Sequence, residues 1–368
     1  MTTCRTVQNL RRLSCSANRG LIVLLFAVLL MGCVPSRFVA HRIITAPNRQ
    51  ATAVMLNDLQ NVWGQYEAIL TPPRIESPLV KAHVSVGDPA VELEILSFPP
   101  QDYGCEVASV LETNEHGKGH LTLTVQPKTN YVVQPLPQIH RATIVLLHGY
   151  MLTKEFMLPW ALQLAQSGYR VVLVDLRGHG KSGGAQITFG KQEVADLKQV
   201  LDYLQAYGEC DEAIGVMGFS YGATLALHWA ADDSRVRTVV AIAPYNRPDE
   251  TFERLVRLLK LPISASAARK AVALAAERLE LDWTGWSGEA AMRKVRVPVL
   301  LISGEKDEIC PPEDIAALRS VAGGETEFLQ VSPANHLAIS VWMHELIKPV
   351  ERWLGTKLVP RGVTALAD

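Results

Sequence analysis

The 368-residue chain has no surplus of charge of either sign: 36 lysines and arginines stand against 37 aspartates and glutamates, and the formal net charge is -1. Holding a nucleic acid or another polyanion needs a field of clustered cations, and no such field is present. Metal-ligand spacing is missing too. No C-x-x-C pair and no H-E-x-x-H run occurs, so no metal is expected, and no organic cofactor. Internal repeats and low-complexity tracts are absent. Beyond residue 33 no apolar run approaches the roughly 20 residues that a membrane helix needs. What remains is a chain long enough to bury a sizeable core as one large domain with additions.

The first 33 residues differ in kind from the rest. Arg5, Arg11, Arg12 and Arg19 precede an uncharged run from Gly20 to Gly32, which matches the basic start and short apolar middle of an export signal. The run ends in Leu30-Met31-Gly32-Cys33 and resembles the lipobox of bacterial lipoproteins. That resemblance implies acylation of Cys33, palmitate included, as the new N-terminus. An ordinary cleaved signal and a tilted N-terminal anchor helix stay open beside it. All three put the domain outside the cytoplasm, on the periplasmic side of the envelope. Val34 is unlike the aspartate that retains many lipoproteins at the inner membrane, which points to the outer membrane. Of six cysteines only Cys105, Cys210 and Cys310 would then remain in the body, and one disulfide among them is open in an oxidising compartment.

Residues 34–90 read as a tether and extension, with one helix from Ala51 to Leu70 ending at Thr71-Pro72-Pro73. From 91 onward the main domain begins. Val91 to Leu96, Cys105 to Leu111 and Leu121 to Val125 are β-rich runs between turn residues, predicting antiparallel strands at the edge of a sheet. After Arg141 strands alternate with helices. The apolar runs Ala142 to Leu147, Arg170 to Val174, Ala213 to Met217, Thr238 to Ala243, Val297 to Ile302 and Glu327 to Val331 are the strands. This α/β rhythm predicts a mostly parallel sheet covered by helices on both faces, with its site beyond the carboxyl ends of the strands. Residues 246–292 interrupt it with helical patterns only, Asp249 to Lys260 and Ser264 to Leu281, followed by Trp283 and Trp286. They are expected to form a helical cap, with the two tryptophans as candidates for its apolar wall.

Gly218-Phe219-Ser220-Tyr221-Gly222 has the G-x-S-x-G form between a strand and a helix, the context in which a serine sits on a strained turn and projects into a site. The bland alternative is a serine in a chance Gly-rich turn. His148-Gly149-Tyr150 ends the strand Ala142 to Leu147. Asp307 follows the strand Val297 to Ile302, and His336 follows Glu327 to Val331. Glu305, Glu308 and Asp249 are rivals for the acid. The stretch Asp175 to Ser182 contains Gly-Lys-Ser, but Asp175 stands where a phosphate-binding loop needs glycine, six positions before Lys181.

From about Arg141 to Leu354, the cap excepted, these motifs and their Ser, Asp, His order make the chain similar to the α/β-hydrolase family of serine hydrolases. The resemblance implies that Ser220 is the nucleophile, His336 the base and Asp307 its orienting acid. It also implies that the backbone N–H groups of Tyr150 and Tyr221 form the oxyanion hole. His148 is then structural, as are Asp175, His179 and Ser182 of the D-x-R-G-x-G-x-S loop. The expected function is hydrolysis of a carboxylic ester or related acyl bond on a small-molecule or lipid substrate. A thioesterase or acyltransferase on the same residues, and a non-catalytic binding lipoprotein, are the alternatives; no obligate protein partner is evident.

Overall fold

The computed structural model describes residues 36–46, 66–70, 79–113, 119–128, 142–211, 213–258 and 263–358. The expected export signal and Cys33 lie outside the described residues.

Five-residue runs such as Thr-Ile-Val-Leu-Leu are stiff, β-branched and apolar on both faces, and so belong in the middle of a covered sheet. They occupy that place. β6 (Thr143–Leu147), β7 (Arg170–Val174), β8 (Ile214–Phe219), β9 (Val236–Ile242), β10 (Val299–Gly304) and β11 (Thr326–Val331) are parallel. β6, β8 and β10 are buried along their whole length. Two antiparallel strands, β2 (Val80–Val86) and β3 (Val91–Phe98), extend the sheet, giving the order β11-β10-β9-β8-β6-β7-β3-β2. The sheet therefore begins at Val80, ahead of the expected boundary at 91; the Val86↔Val91 register closes a hairpin that buries Val84 and Val86. Helices α2 (Leu158–Gln166), α3 (Glu193–Ala206), α4 (Tyr221–Asp232), α8 (Pro312–Ser320) and the pair α9 (Ala338–Val341) and α10 (Met343–Lys357) follow β6, β7, β8, β10 and β11 in the chain.

Three differences from the sequence reading have physical causes. β4 (Cys105–Thr113) and β5 (Gly119–Pro127) pair with each other and, through β5, with β1 (Tyr66–Leu70) in a separate three-stranded sheet. Alternation along a strand says that one face is buried, not which sheet it joins. β1 is the end of the segment expected as a helix; of the rest, 51–65 lie outside the described residues, and parallel pairing with β5 wins over helical periodicity at 66–70. Finally, Cys105, Cys210 and Cys310 are all free thiols, so no disulfide joins them.

Among the described residues of 246–292 the regular elements are all helices: α5 (Pro248–Leu258), α6 (Ala265–Leu279) and α7 (Gly288–Met292). Ser264 and Ser287 cap the last two by accepting from the N–H groups of Ala267 and Ala290, which fixes where each helix starts. α1 (Ser36–Ile44) packs along α6. The region expected to be a tether thus contains a helix docked on the cap.

Candidate active site

β8 ends in a turn that only glycine permits on either side. A Cβ on Gly218 would lie 2.2 Å from the carbonyl oxygen of Gly222, and one on Gly222 would lie 2.4 Å from that of Leu147. Between them Ser220 takes φ 51° and ψ -111°, a left-handed backbone that L side chains rarely adopt. Hydrogen bonds over-determine it: Ser220 N–H donates to Ile242 at 2.8 Å, and its carbonyl accepts from Ala223 and Thr224. The serine is thereby lifted out of the strand onto the first turn of α4.

The loops after β10 and β11 bring two further side chains to the same point. His336 Nε2 lies 3.0 Å from Ser220 Oγ, and His336 Nδ1 lies 2.7 Å from Asp307 Oδ2. A carboxylate accepts, so Nδ1 carries the proton and Nε2 is left to accept from the serine hydroxyl. The other Asp307 oxygen accepts from Ile309 N–H at 2.9 Å and Cys310 N–H at 2.7 Å. Asp307 is buried, and Phe219 lies against the imidazole with ring centroids 5.2 Å apart. The rivals are elsewhere: Asp249 pairs with Arg247, and Glu305 accepts from Ser332. Ile309 and Cys310 escaped the sequence reading, because backbone N–H groups leave no trace in residue type.

The loop after β6 is held from below. Met151 has φ 62°, and its N–H donates to His179 Nε2 at 3.3 Å, while His179 Nδ1 donates to the Arg177 carbonyl at 2.9 Å. His148 donates from Nδ1 to Gly149 and accepts at Nε2 from Leu176 N–H at 3.0 Å. Burial pushes His148 down to about 4, and burial followed by the neighbouring His148 pushes His179 down to about 3, so both work as neutral rings. Lys154 donates from its backbone N–H and its ammonium to the two oxygens of Asp175, at 2.8 and 2.7 Å. His148, Asp175, His179 and Ser182 hold the chain in place, Ser182 by bonding Asp175 and Glu94.

Residues 138–285, less than half of the chain, match the family model described as serine aminopeptidase, S33. Thiohydrolase aneE of Aspergillus aculeatus is 34% identical over 117 residues, 30% of this chain and 36% of that protein. Acyltransferase drtE of Aspergillus calidoustus is 30% identical over 129 residues, 31% of this chain and 41% of that protein. The chain thus matches well under two thirds of either relative's length. An esterase of Pyrococcus furiosus superimposes with a TM-score of 0.57 at 22% identity, covering 79% of this chain and 97% of that one. The chain has the α/β-hydrolase fold.

In this hydrolase fold Ser220 and His336 open on a cavity of about 180 Å³, with Asp307 buried behind the imidazole. Tyr150 and Tyr221 line it together with Ser220 and His336; Tyr221 is the first residue of α4, where backbone N–H groups have no partner within the helix. The cap supplies Phe252 and Leu255 from α5, and Ile309 and Leu337 come from the loops. Apart from the His336 imidazole, no carboxylate, ammonium or guanidinium is among the described lining residues. Trp283 and Trp286 are not in the wall. Trp283 packs edge-on against Phe189 and donates to the Val272 carbonyl, and Trp286 lies against His228 and Gly190. The cap rests on the hydrolase body through them. Asp307, Cys310 and His336 offer atoms within 4.8 Å of one another, as do Glu94, Glu155 and Asp175. The first group is engaged in the Ser220 relay, and the second surrounds the Lys154 ammonium.

Proposed function

We propose that this protein is a lipid-anchored serine hydrolase that cleaves a carboxylic ester or related acyl bond through an acyl-enzyme on Ser220. The observation that carries the reading is the Ser220–His336–Asp307 relay opening on an apolar cavity. His336 takes the hydroxyl proton as Ser220 attacks the acyl carbonyl, then returns it to the leaving group; Asp307 keeps the imidazole in the required tautomer. The backbone N–H groups of Tyr150 and Tyr221 are assigned to the oxyanion, whose charge develops at the start of α4. Water, activated by the same imidazole, releases the acid. A scaffold with no chemistry would have no need of a strained serine within 3.0 Å of a correctly oriented imidazole.

The acyl side is assigned to the cavity, which suits a short to medium uncharged apolar chain. An aminopeptidase must hold its substrate's terminal ammonium, and among the described residues the lining has no carboxylate to do so. Similarity to a thiohydrolase and an acyltransferase supports a thioester donor as the second reading. The address is the envelope, through acylated Cys33. A fluorophosphonate probe should label the wild type and not Ser220→Ala, and a series of esters and thioesters graded by acyl length should give a maximum at modest length. A wild type that neither labels nor turns over any of them overturns the reading. Palmitate label that persists in Cys33→Ser overturns the anchor.

A further inference from the structure

Helix α1 begins at Ser36, three residues after Cys33, and three residues of chain reach at most about 11 Å. The helix is not a free tether. The Ile187 N–H donates to the Ile44 carbonyl and the Ala46 N–H to that of Ala185, both at 2.9 Å, and the Tyr150 hydroxyl donates to the Ile43 carbonyl at 3.3 Å. Ala40, Ile43 and Ile44 are buried beneath it, and α1 lies along cap helix α6. Any anchor at Cys33 therefore keeps the start of α1, and the cap helix beside it, close to the membrane surface.

The outer face of α1 has the chemistry of that surface. Arg37, Phe38, His41 and Arg42 are exposed, and at 100° per residue they fill one continuous arc in the order 37, 41, 38, 42. Phe38 is 50% exposed, one of three exposed large apolar side chains among the described residues. The helix carries no acid. A basic arc with an aromatic at its centre suits the headgroup layer of an anionic bilayer, where cations meet phosphate and the ring enters the acyl boundary.

We infer that the exposed arc of α1 docks on an anionic lipid surface, so that the cap and the Tyr150 side of the cavity face the bilayer and the enzyme takes its acyl substrate from there. This rests on the anchor at Cys33 proposed above, and it deepens the hydrolase reading.

The test uses the acylated full chain in phosphatidylcholine vesicles, with and without phosphatidylglycerol. Two esters of the same medium-length acid are followed on each preparation, one of a long-chain alcohol and bilayer-dissolved, one of a short alcohol and water-soluble; hydrogen exchange at α1 is followed in parallel. Phosphatidylglycerol should raise the bilayer-ester rate about tenfold and slow exchange at α1. It should leave the soluble-ester rate alone. In Arg37→Glu/Arg42→Glu, and separately in Phe38→Asp, both lipid effects should vanish while soluble-ester turnover persists. Lipid effects that are absent, or that survive the substitutions, overturn the inference, as does α1 protected without vesicles in a concentration-dependent dimer. Exchange at α1 reads the surface without turnover, so if neither ester is cleaved yet α1 is protected, the hydrolase reading fails and the docking surface stands.

Discussion

On the sheet side of the cavity, Asp307 is held by two backbone N–H groups, His336 by Asp307, and Ser220 by a turn whose flanking glycines touch backbone. On the cap side, Phe252 and Leu255 reach in from α5, where Pro248 is the one buried residue. That helix is tied to α8 by the ion pair of Arg254 with Asp314 at 2.7 Å. Strand ends carry fixed positions, and a half-exposed helix carries shape. Chemistry placed on the first tolerates almost no change, while specificity placed on the second tolerates a good deal.

The largest effect should come from the sheet side. Ser220→Ala and His336→Ala should each lower kcat on an ester by about a million-fold, and the double variant should fall no further, because serine and base act as a unit. Asp307→Asn should cost about ten-thousand-fold, since the amide favours the wrong tautomer. Steady-state rates of these four variants, of Asp249→Asn and of the wild type decide it: additive losses, or Asp307→Asn near wild type with Asp249→Asn inactive, would break the relay.

The cap itself divides into packing and lining. Trp283 is nearly buried against Phe189 and Val272, so Trp283→Ala should lower stability by about 3–5 kcal/mol while leaving the ranking of acyl lengths unchanged. Phe252→Ala should do the reverse. Enlarging the lining should shift kcat/KM toward longer acyl groups by about tenfold, the scale of one or two methylenes in an apolar pocket, with a smaller fall in Tm. An acyl profile that moves with Trp283 and not with Phe252 would reverse the assignment.

This division also explains what could be read in advance. Ser220, Asp307 and His336 were legible because each follows a strand end in a fold whose strands announce themselves as apolar runs such as Val-Leu-Leu-Ile. The helical nature of 246–292 was legible from periodicity. Which of its aromatics faces the cavity depends on how the helices dock, which periodicity does not encode; hence two tryptophans looked like wall and Phe252 went unnoticed. The second sheet was hidden for a similar reason, since β4 and β5 alternate as any half-covered strand does. α1 was missed because Ala40, Ile43 and Ile44 form an apolar stripe only once α6 is there to receive it.

The smallest effect lies at the seam between cap and body, where His228 of α4 meets Trp286 at 5.0 Å. Its Nε2 is buried without a hydrogen-bond partner, and burial pushes the imidazole down to about 4. The folded value lies below that of the unfolded chain, about 6.5, so the unfolded state takes up the proton first as pH falls. Stability from the neutral ring is fully present above about pH 6.5 and is lost as pH drops toward 4. Between pH 7 and pH 6 that linkage amounts to about 0.7 kcal/mol for one such histidine. His148 and His179 add slopes of the same sign, but their ring nitrogens hold the loop after β6, and replacing them would disturb more than a proton. His228→Leu removes the titrating group, together with the ring's hydrogen bond to the Trp286 backbone, from an apolar seam. Thermal unfolding at pH 7 and pH 6 should therefore show a smaller drop in Tm for His228→Leu than for wild type, with ester turnover on the sheet side unchanged. An equal drop in both proteins would mean that the ring at this seam takes up its proton without opening the fold, and that cap and body are more loosely joined there than the packing of Trp286 implies.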